Sequence, residues 1–153
     1  MKTAPLWVLV ALILGFFIGS FSTSFVDGSS ANLLVSHNHV KQDQIKVTRD
    51  KVVIDFEGKS LRWAEFEDSN SMLPLLDNGY DGFEIVPESK EDIKLGDVIS
   101  FEYKDKVYVH RVVEIGQDKF GWYAITKGDS NNIEDEGKRR FENIKGILVG
   151  VIF

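Results

Sequence analysis

Three short stretches of the chain carry side chains able to make and break bonds: Ser69-Asn70-Ser71-Met72-Leu73-Pro74, His110-Arg111, and Lys127-Gly128-Asp129-Ser130-Asn131 running on to Glu134-Asp135. Together they hold a hydroxyl, an imidazole and carboxylates, the parts that acyl transfer requires. A serine hydroxyl is a weak nucleophile at its free pKa, so it needs a base within hydrogen-bond reach and a third group orienting that base. A neutral imidazole with a pKa near ~6.5 can accept the proton at neutral pH. The chain has no cysteine, which removes thiol nucleophiles, disulfides and thiolate-bound metals and leaves oxygen and nitrogen side chains to do any chemistry. Each stretch also has a plainer reading. Ser69 and Ser71 before a proline can form a simple turn, Gly128 to Asn131 a loop bonded to its own backbone, and His110 a half-buried structural residue.

The elements that must position these groups are strands. From Ile45 onward the apolar residues recur with a period near two, and turn residues separate the runs. Residues 45–48, 51–56 and 61–66 read as a three-strand meander. Residues 98–103 and 107–115 flank Lys104-Asp105-Lys106 as a hairpin, and 121–126 and 146–153 supply two more strands. His110 then lies mid-strand, with Tyr108 and Val112 on its face and Val109 and Arg111 on the other. No later segment shows a long helical period, so residues 45–153 are expected to fold as a compact antiparallel β domain, folded over or partly closed, that needs no cofactor to fold.

The charge pattern sets the domain apart from what precedes it. From Thr3 to Val26 there are 24 residues without Asp, Glu, Lys, Arg or His. As a helix they would extend ~36 Å, enough to cross a hydrocarbon layer of ~30 Å. Residues 1–26 are therefore expected to be a short cytoplasmic stub and a single transmembrane anchor. A cleaved secretory peptide is the competing reading, against which stand bulky Phe21 and Phe25 where cleavage calls for small residues. Lys2 before the span and acidic sequence after it put the N-terminus in the cytoplasm. Residues 27–44 read as a linker, in which His37 and His39, lacking a third ligand nearby, belong to an exposed polar stretch rather than to zinc. A formal net charge of −6 argues against a nucleic-acid partner, and Lys138-Arg139-Arg140 reads as a solvated basic turn.

Taken in order, the polar stretches resemble the boxes of type I signal peptidases, membrane-anchored serine proteases that cut exported proteins after their signal peptides. Ser69-Asn70-Ser71-Met72-Leu73-Pro74 is similar to the family's Ser-x-Ser-Met-x-Pro box, and Ile93 to Ile99 resembles its Gly-Asp strand entry. His110-Arg111-Val112 and Lys127-Gly128-Asp129-Ser130-Asn131 resemble its next two boxes. The resemblance covers residues 66–135 and the anchor by architecture, and hardly touches residues 27–60. With His110 where another branch has lysine, the chain is similar to the Ser-His-Asp branch found in archaea, the endoplasmic reticulum and some Gram-positive bacteria. Four departures stand out: Tyr80 is inserted between Gly79 and Asp81 where the family usually has a Gly-Asp pair soon after the proline, Asn70 replaces the commoner glycine between the serines, and Ser130 and Glu134 replace the usual Asn and Asp.

The resemblance implies Ser71 as nucleophile and His110 as general base and then acid. It leaves Asp135 and Asp129 competing for the orienting carboxylate, with Asp135 the slightly better match. It further implies an oxyanion site made by the Ser71 backbone N–H and the Ser69 hydroxyl, and no metal or other cofactor. The implied fold is a single transmembrane helix followed by a signal-peptidase-like antiparallel β domain on the extracytoplasmic or lumenal side of the membrane. The implied partners are signal-peptide-bearing preproteins, the lipid bilayer, and a translocon or accessory subunits. Two other functions fit the same scaffold: a dedicated processing protease for a few surface proteins, and a catalytically silent, membrane-tethered module that binds extended peptides.

Overall fold

The computed structural model describes residues 34–67 and 69–153. The expected anchor at 1–26 and the first part of the expected linker lie outside them. Among the described residues no helix is long and apolar enough to cross a membrane.

The described residues build eight strands: β1 (Ile45–Val47), β2 (Val52–Ile54), β3 (Leu61–Glu65), β4 (Asp81–Ile85), β5 (Val98–Tyr103), β6 (Lys106–Asp118), β7 (Gly121–Lys127) and β8 (Ile144–Ile152). All pairings are antiparallel, so the mainly β class read from the sequence holds. Six strands form one sheet in the order β3-β4-β8-β5-β6-β7, while among the described residues β1 and β2 pair only with each other.

The expected meander is corrected here. Residues 45–56 do form a hairpin, but the third run leaves it: Leu61 pairs with Ile85 and Glu65 with Asp81. The reason is burial. Val47 and Val52 on the hairpin stay largely exposed, so a third strand beside them would gain little burial, whereas β4 lies against β8 inside the large sheet and its Phe83 packs edge-on with Trp63 of β3.

Strand β5 organises the core. Val98, Ile99, Ser100 and Phe101 are all buried, as expected of an inner strand covered on both faces. Because neighbouring side chains point to opposite faces, Ile99 and Phe101 join Ile93, Val112, Ala124, Ile144 and Ile147 on one side. Val98 joins Met72, Leu76 and Leu148 on the other. Fully burying a side chain such as Ile99 contributes about 1.5–3 kcal/mol, so the strands carrying the polar stretches are anchored from both faces. Register shifts at Phe83/Glu84, Ser100/Phe101 and Val112/Glu114 interrupt the ladders. Bulges of this kind bend strands and increase their twist.

Part of the expected linker is docked on the domain. Buried Asp97 accepts the backbone N–H of His37 at Oδ1 (3.0 Å) and that of Lys94 at Oδ2 (2.8 Å), and Oδ2 also lies 2.9 Å from His39 Nε2. The expectation that both histidines sit in an exposed stretch therefore holds for His37 alone. A buried carboxylate must find donors, and this segment supplies them.

Candidate active site

Met72 and Leu76 fix the turn that carries Ser71, since both are buried in the smaller core cluster. Asn70 precedes Ser71 with φ +56°, the left-handed region that asparagine tolerates better than most residues. The turn thus meets the backbone demand that a glycine would otherwise serve.

His110 is held by β6, paired with Ile99 on β5, and its side chain is only 10% exposed. Its Nε2 lies 3.1 Å from Ser71 Oγ and its Nδ1 lies 2.6 Å from Asp135 Oδ2. An ionised carboxylate can only accept, so the short contact puts the proton on Nδ1 and turns the lone pair of Nε2 toward the serine hydroxyl. Burial by itself would raise the Asp135 carboxyl. Hydrogen bonds from His110 and Thr126, with the charges of His110 and Arg139, outweigh it and hold the group below the ordinary aspartate range. The structure thus brings Ser71, His110 and Asp135 into one chain of hydrogen bonds.

It does not bring Asp129 to His110. Asp129 takes a two-pronged contact from Arg111, with Nε at 2.7 Å and Nη2 at 2.6 Å, while Arg111 Nη1 donates to the Gly96 carbonyl at 2.8 Å. His110 and Arg111 are adjacent on a strand and point to opposite faces, so each of the two aspartates meets one of them.

Ser69 Oγ lies 3.0 Å from Ser71 Oγ, so the two hydroxyls share a hydrogen bond. The loop after β7 packs tightly on the same turn: a β-carbon on Gly128 would stand 2.6 Å from the Ser71 carbonyl oxygen. Only glycine permits that approach.

A groove of about 820 Å³ opens at Ser71 and His110. Residues Arg62 to Glu67 line it on one side and Lys106 to Val109 on the other. Glu84 and Ser100, from inner strands, also line it, with Ser100 Oγ donating to Glu84 Oε2 at 2.8 Å. A β-carbon on Gly146 would collide with that carboxylate, so glycine there makes room for it. The outer edge of β3 pairs with no strand among the described residues.

Four residues of this region were given no part in a site by the sequence: Thr126, Arg139, Ser130 and Glu84. Arg139 corrects an expectation outright. Within the run read as a solvated turn it is 3% exposed, its guanidinium 4.5 Å from the ring centres of both Phe101 and Tyr103. Its neighbours Lys138 and Arg140 instead hold Asp118 near the surface. The missed signal was the placement of Arg139 opposite Ala124, which only the fold reveals.

Compared with known proteins, the chain finds no match: no family model, no curated protein and no solved structure aligns with it.

Proposed function

We propose that the chain is a membrane-anchored serine endopeptidase that cleaves signal peptides from exported proteins through an acyl-enzyme. The observation that carries this reading is the unbroken line from Ser71 Oγ through both ring nitrogens of His110 to Asp135, at 3.1 and 2.6 Å.

In the first half-reaction Ser71 Oγ attacks the scissile carbonyl while His110 Nε2 takes its proton. Asp135 holds Nδ1–H in place and stabilises the imidazolium that forms. The Ser71 N–H and the Ser69 hydroxyl face the oxyanion. The imidazolium then protonates the departing amine, and a water activated by the same imidazole releases the acyl group. An extended substrate adds its backbone to the free edge of β3, a mode in which main-chain hydrogen bonds give affinity and pockets for alternate side chains give specificity. On this reading the uncharged segment at residues 3–26 holds the β domain at the far membrane surface, where signal peptides end.

A narrower reading, a processing protease dedicated to a few substrates, is favoured by Arg62, Glu84 and Ser100 along the groove, because polar walls restrict side chains more than small apolar pockets do.

The experiment is cleavage of a signal-peptide-bearing preprotein by the full chain in detergent or vesicles. Ser71→Ala and His110→Ala should each abolish it with the circular dichroism spectrum unchanged. Undiminished cleavage by either variant sinks the reading, and a panel of unrelated preproteins separates the general enzyme, which cuts several, from the dedicated one.

A further inference from the structure

Asp135 Oδ2 accepts two hydrogen bonds, from His110 Nδ1–H at 2.6 Å and from the Thr126 hydroxyl at 2.7 Å. Thr126 is fully buried, and its carbonyl also takes the Asp135 backbone N–H at 2.8 Å, so it grips the aspartate by backbone and by side chain. The register of β6 with β7 places Thr126 opposite Val112, two residues along the strand from His110.

With its hydrogen donated to Asp135 in a hydrogen bond, the Thr126 hydroxyl oxygen accepts from Arg139 Nε at 3.2 Å. Arg139 is pinned elsewhere by the Glu136 carbonyl (2.7 Å) and by backbone bonds to Ala124. One of the aromatic rings beneath it, Phe101, packs edge-on against the His110 imidazole at 6.3 Å. A guanidinium is costly to bury, and this one is buried beside the hydroxyl that bonds Asp135.

Resting on the serine-peptidase reading, we propose that Thr126 and Arg139 are positioning residues that act through Asp135 to limit how tightly His110 holds a proton. Two physical effects point the same way. The Thr126 hydroxyl occupies the carboxylate oxygen that His110 also uses, which weakens the hold of that oxygen on the imidazolium. The Arg139 charge opposes a second positive charge nearby and offsets part of the pull of Asp135. Donation from Arg139 also polarises the Thr126 hydroxyl and strengthens its bond to Asp135, fixing the carboxylate's orientation.

Other ionisable groups face His110 and stay constant in the test. Tyr108 on its own strand lies 6.5 Å away between ring centres. Arg62, Glu65, Glu67, Asp77, Glu84 and Lys106 line the shared groove, and the paired Arg111 and Asp129 sit on the opposite face of β6.

The experiment follows the imidazole signals of the full chain in micelles by NMR through a pH titration, with His110 identified by the resonance lost in His110→Gln. Thr126→Val and Arg139→Met should each raise the His110 midpoint by about half a pH unit or more. Thr126→Ser and the charge-keeping Arg139→Lys should titrate near the parent. In cleavage assays the acidic limb of kcat/KM should move up in step with the midpoint.

A parent-like midpoint in folded Thr126→Val overturns the proposal, as does Arg139→Lys shifting as far as Arg139→Met. Should Arg139→Met fail to fold, nearly isosteric Thr126→Val decides alone. Since the titration needs no turnover, a chain that cleaves nothing removes the peptidase reading while the midpoints still judge the relay.

Discussion

Ser130 donates its backbone N–H to the Ser71 carbonyl at 2.9 Å, tying the loop that leads to Asp135 onto the turn that carries the hydroxyl. Its side chain adds a second tie, Oγ donating to the Leu73 carbonyl at 2.9 Å. The two halves of the candidate site, 59 residues apart in sequence, are thus joined at one point. Ser130→Ala keeps the backbone bond and loses the other. A net hydrogen bond contributes roughly 0.5–1.5 kcal/mol, which predicts a fall in kcat of roughly 2- to 10-fold as Ser71 and His110 lose alignment. Unchanged kcat with a lowered melting temperature would assign Ser130 to stability alone.

The two aspartates of this loop should separate cleanly. Asp135→Asn leaves a group of the same shape that no longer secures the right tautomer of His110, and kcat should drop about 10⁴-fold. Asp129→Asn breaks the paired contact with Arg111. Its cost should appear as about 1–3 kcal/mol in chemical denaturation, with cleavage by the folded fraction retained. If Asp129→Asn proves the more damaging to kcat, the assignment of the carboxylates is reversed.

Ser69 should matter only once charge develops on the substrate. Its hydroxyl stands 3.0 Å from Ser71 Oγ, and removal of a donor of this kind costs about 10²- to 10³-fold in kcat. Ser69→Ala is expected to lose that much in kcat with little change in KM, and Ser69→Thr to recover most of it. A loss confined to KM would make Ser69 a substrate-binding group instead.

How far the site was legible in the sequence depended on what each residue does. Ser71, His110 and Asp135 are of reactive type and sit in recognisable local patterns, so they could be listed before any fold was known. Strand β4 was missed because Asp81-Gly82-Phe83-Glu84-Ile85 mixes acids and glycine where an inner strand usually shows an apolar run. Its buried Glu84 is balanced by Ser100, 16 residues away, a pairing that no local pattern encodes. Arg139 was misread for a related reason. Its flanking bases are surface groups, and only the bridge to Ala124 turns the middle one inward. His39 likewise gave no sign of Asp97, which lies 58 residues further along. Period and turn chemistry give strands, whereas a buried charge becomes intelligible only beside its partner.

Glu84 provides the sharpest thermodynamic test. It is fully buried; Oε2 accepts from Ser100, Arg62 stands 3.6 Å away, and Oε1 has no hydrogen-bond partner among the described residues. Burial raises its carboxyl, and the Ser100 bond and the Arg62 charge reverse only part of that, so the net direction is up. The folded state therefore binds this proton more tightly than the unfolded chain does. It follows that stability falls as pH rises from the ordinary glutamate range through the raised value, with the loss complete above it. Each pH unit of that shift corresponds to about 1.4 kcal/mol. Glu84→Gln keeps the shape and removes the charge. It should melt at a higher temperature than the parent at about pH 8, and the advantage should vanish at about pH 4, where the parent carboxyl is protonated in both states. A Gln variant less stable at the higher pH, or equally displaced at both, would show that Arg62 and Ser100 compensate the buried charge in full.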